Sequence, residues 1–190
     1  MIQDGYAALA EAGIDTATHT ELLDMLGELE TLTRQLPSQS HRIIARLERG
    51  ASPVELGAKN LCEVLVHRLR ISRGEARRRQ SDAANLGPRT ALTGQPLAPA
   101  LPKVAAAQAE GSINAEHVQI LTAFFDRLPT LIDVTTREQA ESDLVRAANG
   151  LVPDGLRKDA ERLGALLEQD GPQPDGAERA RRRFVTIGRQ

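Results

Sequence analysis

Leucine and isoleucine recur at spacings of three and four residues along much of the chain, the pattern of helices with one apolar face. The clearest run extends from Thr20 to Gly50, and Pro37 inside it predicts a kink or a break. Shorter runs predict further helices near residues 61–71, 73–86, 103–110, 118–128, 135–148 and from 153 onward. The pattern therefore predicts an all-α, multi-helix fold.

The densest pattern lies between Leu61 and Leu86, where two short helices are predicted around a tight turn. Asn60 can cap the first helix, whose apolar positions are Leu61, Val64, Leu65, Leu69 and Ile71. Ser72 followed three residues later by Glu75 is a capping-box signature for the second helix. Helical geometry then groups Ala76, Gln80, Ala83 and Ala84 on an inward face, and Arg77, Arg78, Ser81 and Asn85 on the opposite face.

This arrangement resembles a helix-turn-helix whose second helix can lie in a DNA major groove. The candidate nucleic-acid-binding residues are Arg68, Arg70, Arg73, Arg77, Arg78, Ser81 and Asn85. Arginine suits the role because its planar guanidinium binds phosphate or a guanine edge through two hydrogen bonds. The alternative interpretation is an ordinary helix pair with a solvated face, since any angled pair in an all-α domain has a capped turn.

The remaining sequence divides the chain into three parts. Residues 1–19 form an N-terminal lead with a helix predicted around 6–12, and residues 20–169 form the helical domain. Within that domain, residues 89–102 are predicted to be an irregular loop, and residues 104–128 a second helix pair. Residues 170–190 begin as a linker and end with a short predicted strand at Phe184–Ile187 that has no partner strand in the chain. We therefore expect a missing C-terminal part, or a tail that is disordered or pairs with another chain.

Charge is unevenly distributed, although the formal net charge is only −2. Residues 1–35 contain seven acidic residues and one arginine, whereas residues 61–86 contain six arginines and three acidic residues. A local basic patch sets the field that a phosphate backbone meets, so the overall charge does not exclude DNA as a partner. No apolar run approaches the length of a membrane span, and we therefore expect a soluble, cytoplasmic protein without membrane contact.

Catalysis by this chain is not expected. His19, His41, His67 and His117 fall on separate predicted helices, and the lone Cys62 cannot form a cysteine-type zinc site. His117 is the one histidine that we single out, because it lies in the first turn of its predicted helix. A histidine in that position more often has a packing or surface role than a catalytic one. The chain has no glycine-rich phosphate loop and no nucleophile elbow, and we predict no catalytic residue, metal, cofactor or small-molecule ligand.

Four blocks in order, LVHRLRISRGEARRRQSDAANLGPR, AAAQAEGSINAEHVQIL, GLVPDGLRKDAERL and RRRFVTIGRQ, resemble the actinobacterial 13E12 repeat family. The likeness extends from about Thr20 to the end of the chain. In that family a helical domain of unknown function is usually followed by an HNH endonuclease domain. The resemblance implies a link to DNA and a nuclease domain outside this sequence.

Two functional hypotheses follow. The first is a DNA-binding module that positions a C-terminal HNH nuclease domain, with Arg77 and Arg78 reaching bases or phosphates. The second is a helical scaffold without direct DNA contact, which forms a homodimer through the acidic helix at residues 20–49.

Overall fold

The computed structural model describes residues 14–170, and the described residues are predominantly helical. A short 3-10 turn at Ile14–Thr16 precedes the first helix. The seven helices of this region are α1 His19–Gly50, α2 Leu61–Leu69, α3 Arg73–Leu86, α4 Pro102–Glu110, α5 Ala115–Arg127, α6 Val134–Ala148 and α7 Pro153–Asp170. The all-α prediction is confirmed. The predicted helix at 6–12, the strand at 184–187 and nearly all of the linker lie outside the described residues.

Helix α1 runs through Pro37 for 32 residues, so of the predicted kink or break the break is absent. Thr18 caps its start through a capping box with Glu21, which satisfies backbone groups that a helix start leaves unpaired. Proline removes a single backbone donor. The Ser38 hydroxyl donates to the Gln35 carbonyl at 2.7 Å beside it, and the residues that follow are packed against α3. Packing therefore maintains the helix beyond the proline.

The segment between α3 and α4 is a small hairpin, where a loop without regular structure was predicted. Strand β1, Arg89–Thr90, pairs antiparallel with β2, Pro96–Leu97, in a register that places Arg89 opposite Leu97. Gly94 closes the connection with a φ of 85°, a left-handed conformation that glycine adopts without a side-chain penalty. Strands of two residues are too short to show an alternating pattern, which is why the sequence did not indicate them.

The described residues form two compact units, with the boundary between Asn114 and Ala115. This boundary falls within the predicted second helix pair of residues 104–128. In the first unit, α1, α2 and α3 enclose a core of Ile44, Leu61, Val64, Leu65, Ala76 and Ala83. In the second unit, α7 packs against α5 and α6, and the most buried side chains include Leu121, Leu144 and Leu156.

Candidate nucleic-acid interface

Helices α2 and α3 both have the N-terminal caps that the sequence predicts. The Asn60 side chain accepts a hydrogen bond from the Glu63 amide at 2.9 Å, and Ser72 Oγ accepts one from the Glu75 amide at 3.1 Å. Between the helices, Arg70 adopts a left-handed conformation with a φ of 55°. A non-glycine residue there costs free energy, and the Ser72 cap two residues later starts α3 directly after it. The turn presents Arg70 at the surface.

Small residues bring α3 close to its neighbours. Ala76 is fully buried and Ala83, seven residues later, is 1% exposed. The predicted inward position was wrong for Ala84. This residue is exposed because it lies about 100° further round the helix than Ala83. The prediction was also wrong for Leu69, which is half-exposed at the end of α2. Gln80 lies at the edge of the buried face, where its side-chain amide donates to Glu48 of α1 at 3.0 Å.

Four predicted arginines are exposed on this part of the first unit: Arg68, Arg70, Arg73 and Arg77. Arg73 lies 3.7 Å from the Glu63 carboxylate, a long pair with an exposed guanidinium. Within residues 14–170, Arg68, Arg70 and Arg77 form no ion pair, so their positive charge is directed at solvent. We call these three residues the basic corner. A surface with three unpaired guanidiniums attracts anions.

Arg78 differs from that group because acidic residues of its own helix bind it. Its guanidinium donates to both oxygens of Glu75 at 2.8 Å and to Asp82 at 2.7 Å, and Arg79 also donates to Glu75 at 2.7 Å. These bonds lower the pKa of Glu75 to about 2, with the Arg78 hydrogen bond as the largest cause. The prediction that Arg78 points freely outward with Arg77 was therefore wrong. Spacings of three and four residues allow these pairs on one helix face.

The two polar candidates for nucleic-acid binding, Ser81 and Asn85, lie in different environments. Ser81 is exposed on α3, whereas Asn85 is half-buried. The Asn85 backbone carbonyl accepts a hydrogen bond from the Leu101 amide at 3.0 Å, which ties the end of α3 to the start of α4. Ser81 is thus available to a ligand, and Asn85 also supports the fold.

His41 of α1 is a buried polar residue that sequence reasoning did not single out. It is 4% exposed, and its Nδ1 has no hydrogen-bond partner. Burial, and secondarily the nearby Arg78 charge, lower the pKa of His41 to about 4. The burial of His41 depends on how α1 crosses α3, so the sequence near His41 does not indicate it.

We expect the first unit to lose stability as pH falls from about 6.5 to about 4. Unfolded His41 takes up a proton near pH 6.5 while the folded residue stays neutral, so acid favours the unfolded chain by on the order of 3 kcal/mol. Urea unfolding at a series of pH values measures this loss. A His41→Gln variant should show a flatter profile over that interval; identical profiles would contradict the assignment.

The described region offers little else that resembles a chemical site. His117 is buried, and its Nε2 lies 2.9 Å from the Leu151 carbonyl oxygen, which is the packing role expected for it. No group of three or more His, Cys, Asp or Glu side chains in residues 14–170 could hold a metal ion. Over the same residues, no helix combines the length and apolar character needed to cross a bilayer.

The fold and the basic corner define a two-unit helical protein with a candidate anion-binding surface. Residues 23–190 match the family described as "Domain of unknown function (DUF222)", and the chain belongs to that family. Two uncharacterized proteins of Mycobacterium tuberculosis, MT1160 of strain CDC 1551 / Oshkosh and Rv1128c of strain ATCC 25618 / H37Rv, are each 43% identical to it over 196 residues. These matches cover 100% of this chain, and 46% and 43% of the relatives.

A third relative, described as uncharacterized protein Rv1702cMb1728c of strain H37Rv, is 44% identical over 176 residues, which is 93% of this chain and 38% of the relative. The chain thus spans less than half the length of these relatives. No solved structure matches the chain.

Proposed function

We propose that the first unit binds DNA through the basic corner, formed by Arg68, Arg70 and Arg77. The observation that carries the proposal is that these three guanidiniums are exposed around one capped turn and have no acidic partner among the described residues. A guanidinium without an internal partner loses no intramolecular ion pair when it binds a phosphate. Arg73 and Ser81 lie on the same helix pair and can add hydrogen bonds.

The hydrogen bonds between Glu75 and the neighbouring arginines restrict which arginines can bind DNA. Because Glu75 and Asp82 already neutralise Arg78, that side chain would have to exchange two carboxylates for DNA. We therefore assign Arg78 a supporting role, in which it holds the surface of α3 in place beside the basic corner. Phosphate contacts of this kind give affinity with little sequence information, so the proposed binding is mainly electrostatic.

We further propose that this unit positions a nuclease domain carried by longer members of the family. Two considerations support this: the relatives are more than twice as long as this chain, and the sequence resembles the 13E12 repeat family, whose helical domains usually precede an HNH endonuclease. In this arrangement the chain contributes binding and no catalytic residue.

The scaffold hypothesis is favoured by a different feature, a row of exposed apolar side chains on α1. Under the scaffold hypothesis the chain does not need to contact DNA. The two functions are compatible in one protein, because the row lies on α1 and the basic corner on α2, α3 and their turn.

Fluorescence anisotropy with a labelled duplex of about 30 base pairs tests DNA binding directly. We expect binding at low salt, with log K falling against log salt at a slope of about −2.7 if three phosphates are neutralised. A fluorescein-labelled neutral polymer of similar size serves as the control ligand. No binding at 20 mM salt, or binding without a salt dependence, would refute the proposal.

A further inference from the structure

Helix α1 carries a second series of apolar positions, several of which are exposed among the described residues. Leu22, Leu29, Leu36 and Ile43 recur at intervals of seven residues, and Met25 and Leu32 form a parallel series with the same interval. Leu32, Leu36 and Ile43 are 55%, 61% and 61% exposed, whereas Leu22, Met25 and Leu29 are half-buried. A repeat of seven with two apolar positions is the signature of a helix that pairs with another helix. We call these six residues the heptad seam.

Several contacts that attach α1 to its own unit lie on other faces of the helix. His41 and Ala45 are buried where α1 meets α3, and the Gln35 side-chain amide donates to the Glu110 carbonyl at the end of α4. At about 100° per residue, His41 and Ala45 lie more than 120° from Leu36 around the helix axis. Leu32, Leu36 and Ile43 are thus exposed, on a side of α1 that borders the core near the end of the helix, where Ile44 and Leu47 pack.

Charge along α1 indicates which partner suits the seam. Its first half, residues 19–33, carries Glu21, Asp24, Glu28 and Glu30 and no lysine or arginine. Its second half, residues 34–50, carries Arg34, Arg42, Arg46 and Arg49 with Glu48 as the single acidic residue. A second α1 running antiparallel would place its basic half along the acidic half of the first. A parallel copy would align like charges along the whole helix.

We propose that the heptad seam binds a second copy of this chain, with the two α1 helices antiparallel. A register that puts Leu36 across from Leu32 of the partner subunit also puts Ile43 across from Met25 of the partner subunit. The same register brings Glu28 beside Arg42 of the partner subunit, at the flanking position where charged residues set helix orientation. The dimer does not depend on DNA binding, and it carries two basic corners.

Polar residues that follow the heptad seam toward the end of α1 limit the affinity of this dimer. Gln39 and Arg46 continue the series of Met25 and Leu32, so in this register they lie across from Leu29 and Leu22 of the partner subunit. Polar residues at seam positions fix register at a cost in stability. We therefore expect a reversible dimer with a dissociation constant on the order of micromolar.

Sedimentation velocity of the 190-residue chain from 1 to 200 µM tests the proposal. We expect a concentration-dependent monomer–dimer equilibrium that Leu32→Asp with Leu36→Asp shifts fully to monomer. The matched control is Leu131→Asp with Val152→Asp, which changes two exposed apolar residues outside α1 and should leave the equilibrium unchanged. Circular dichroism confirms that each variant keeps its helical content, because all four side chains are exposed.

A charge exchange tests the antiparallel arrangement. Glu28→Arg and Arg42→Glu should each weaken the dimer roughly tenfold, and the double variant should restore it. Residues 28 and 42 are about 21 Å apart along one helix, so rescue cannot come from a contact within one copy. A chain that stays monomeric at 200 µM, a dimer insensitive to the seam variants, or single losses without rescue would each overturn the proposal.

Discussion

A variant with Arg68, Arg70 and Arg77 all changed to alanine is expected to bind duplex DNA at least about tenfold more weakly than the wild type at low salt. These three guanidiniums are exposed and have no ion-pair partner within residues 14–170, so their loss removes phosphate contacts without exposing a buried charge. Fluorescence anisotropy at 50 mM salt gives the ratio of affinities. Urea unfolding should show little change, because all three side chains are exposed and alanine keeps the same Cβ atom at the left-handed position of Arg70.

The second unit offers a control with the same change in net charge. Arg127, Arg146 and Arg162 are also exposed, and Arg146 and Arg162 pair with acidic residues three positions earlier. Their joint replacement by alanine should reduce affinity much less than the loss of the basic corner. Equal losses in the two triple variants would mean that overall charge, and not this surface, attracts DNA.

Replacing Gly111 by alanine is expected to destabilise the first unit by about 2–4 kcal/mol. Gly111 ends α4 with a φ of 78°, where any side chain is strained. In addition, a Cβ atom there would lie 2.9 Å from Thr31 Cγ2 and 3.0 Å from the Thr31 carbonyl oxygen of α1. The close approach of α4 to α1 thus depends on the missing side chain. Chemical denaturation measures the loss in unfolding free energy.

A variant at Gly94 separates the two contributions to that loss, which are backbone strain and the close contact with Thr31. Gly94 has a similar φ of 85° in the hairpin, and a Cβ atom built on it meets nothing within 4 Å. Gly94→Ala should therefore cost only the backbone strain, about 1 kcal/mol. If the two variants lose equal stability, the contact between Gly111 and Thr31 contributes nothing.

Local signals predicted most of the helix boundaries. The caps at Asn60 and Ser72 and the glycine stop at Gly111 act through atoms a few residues away, so a short stretch of sequence contains the whole cause. The inward positions of Ala76 and Ala83 follow from helical periodicity alone. The exposure of Arg77 follows from the same periodicity.

Features that depend on partners were harder to predict. The spacing of Glu75, Arg78 and Asp82 contains a usable signal, since pairs three and four residues apart meet on a helix surface. Periodicity alone indicates the outward face of Arg78 but not the carboxylates that bind it there. The burial of His41 depends on the contact between α1 and α3, which no local pattern specifies. The boundary after Asn114 likewise reflects packing between distant segments.

The salt dependence of DNA binding, measured for the wild type and for the variant lacking Arg68, Arg70 and Arg77, tests the central claim most directly. If each of the three arginines neutralises one phosphate, the slope of log K against log salt should be smaller in magnitude for the variant by about 2.7. Equal slopes for the two proteins would show that these arginines do not contact the phosphate backbone, and would contradict the proposed interface.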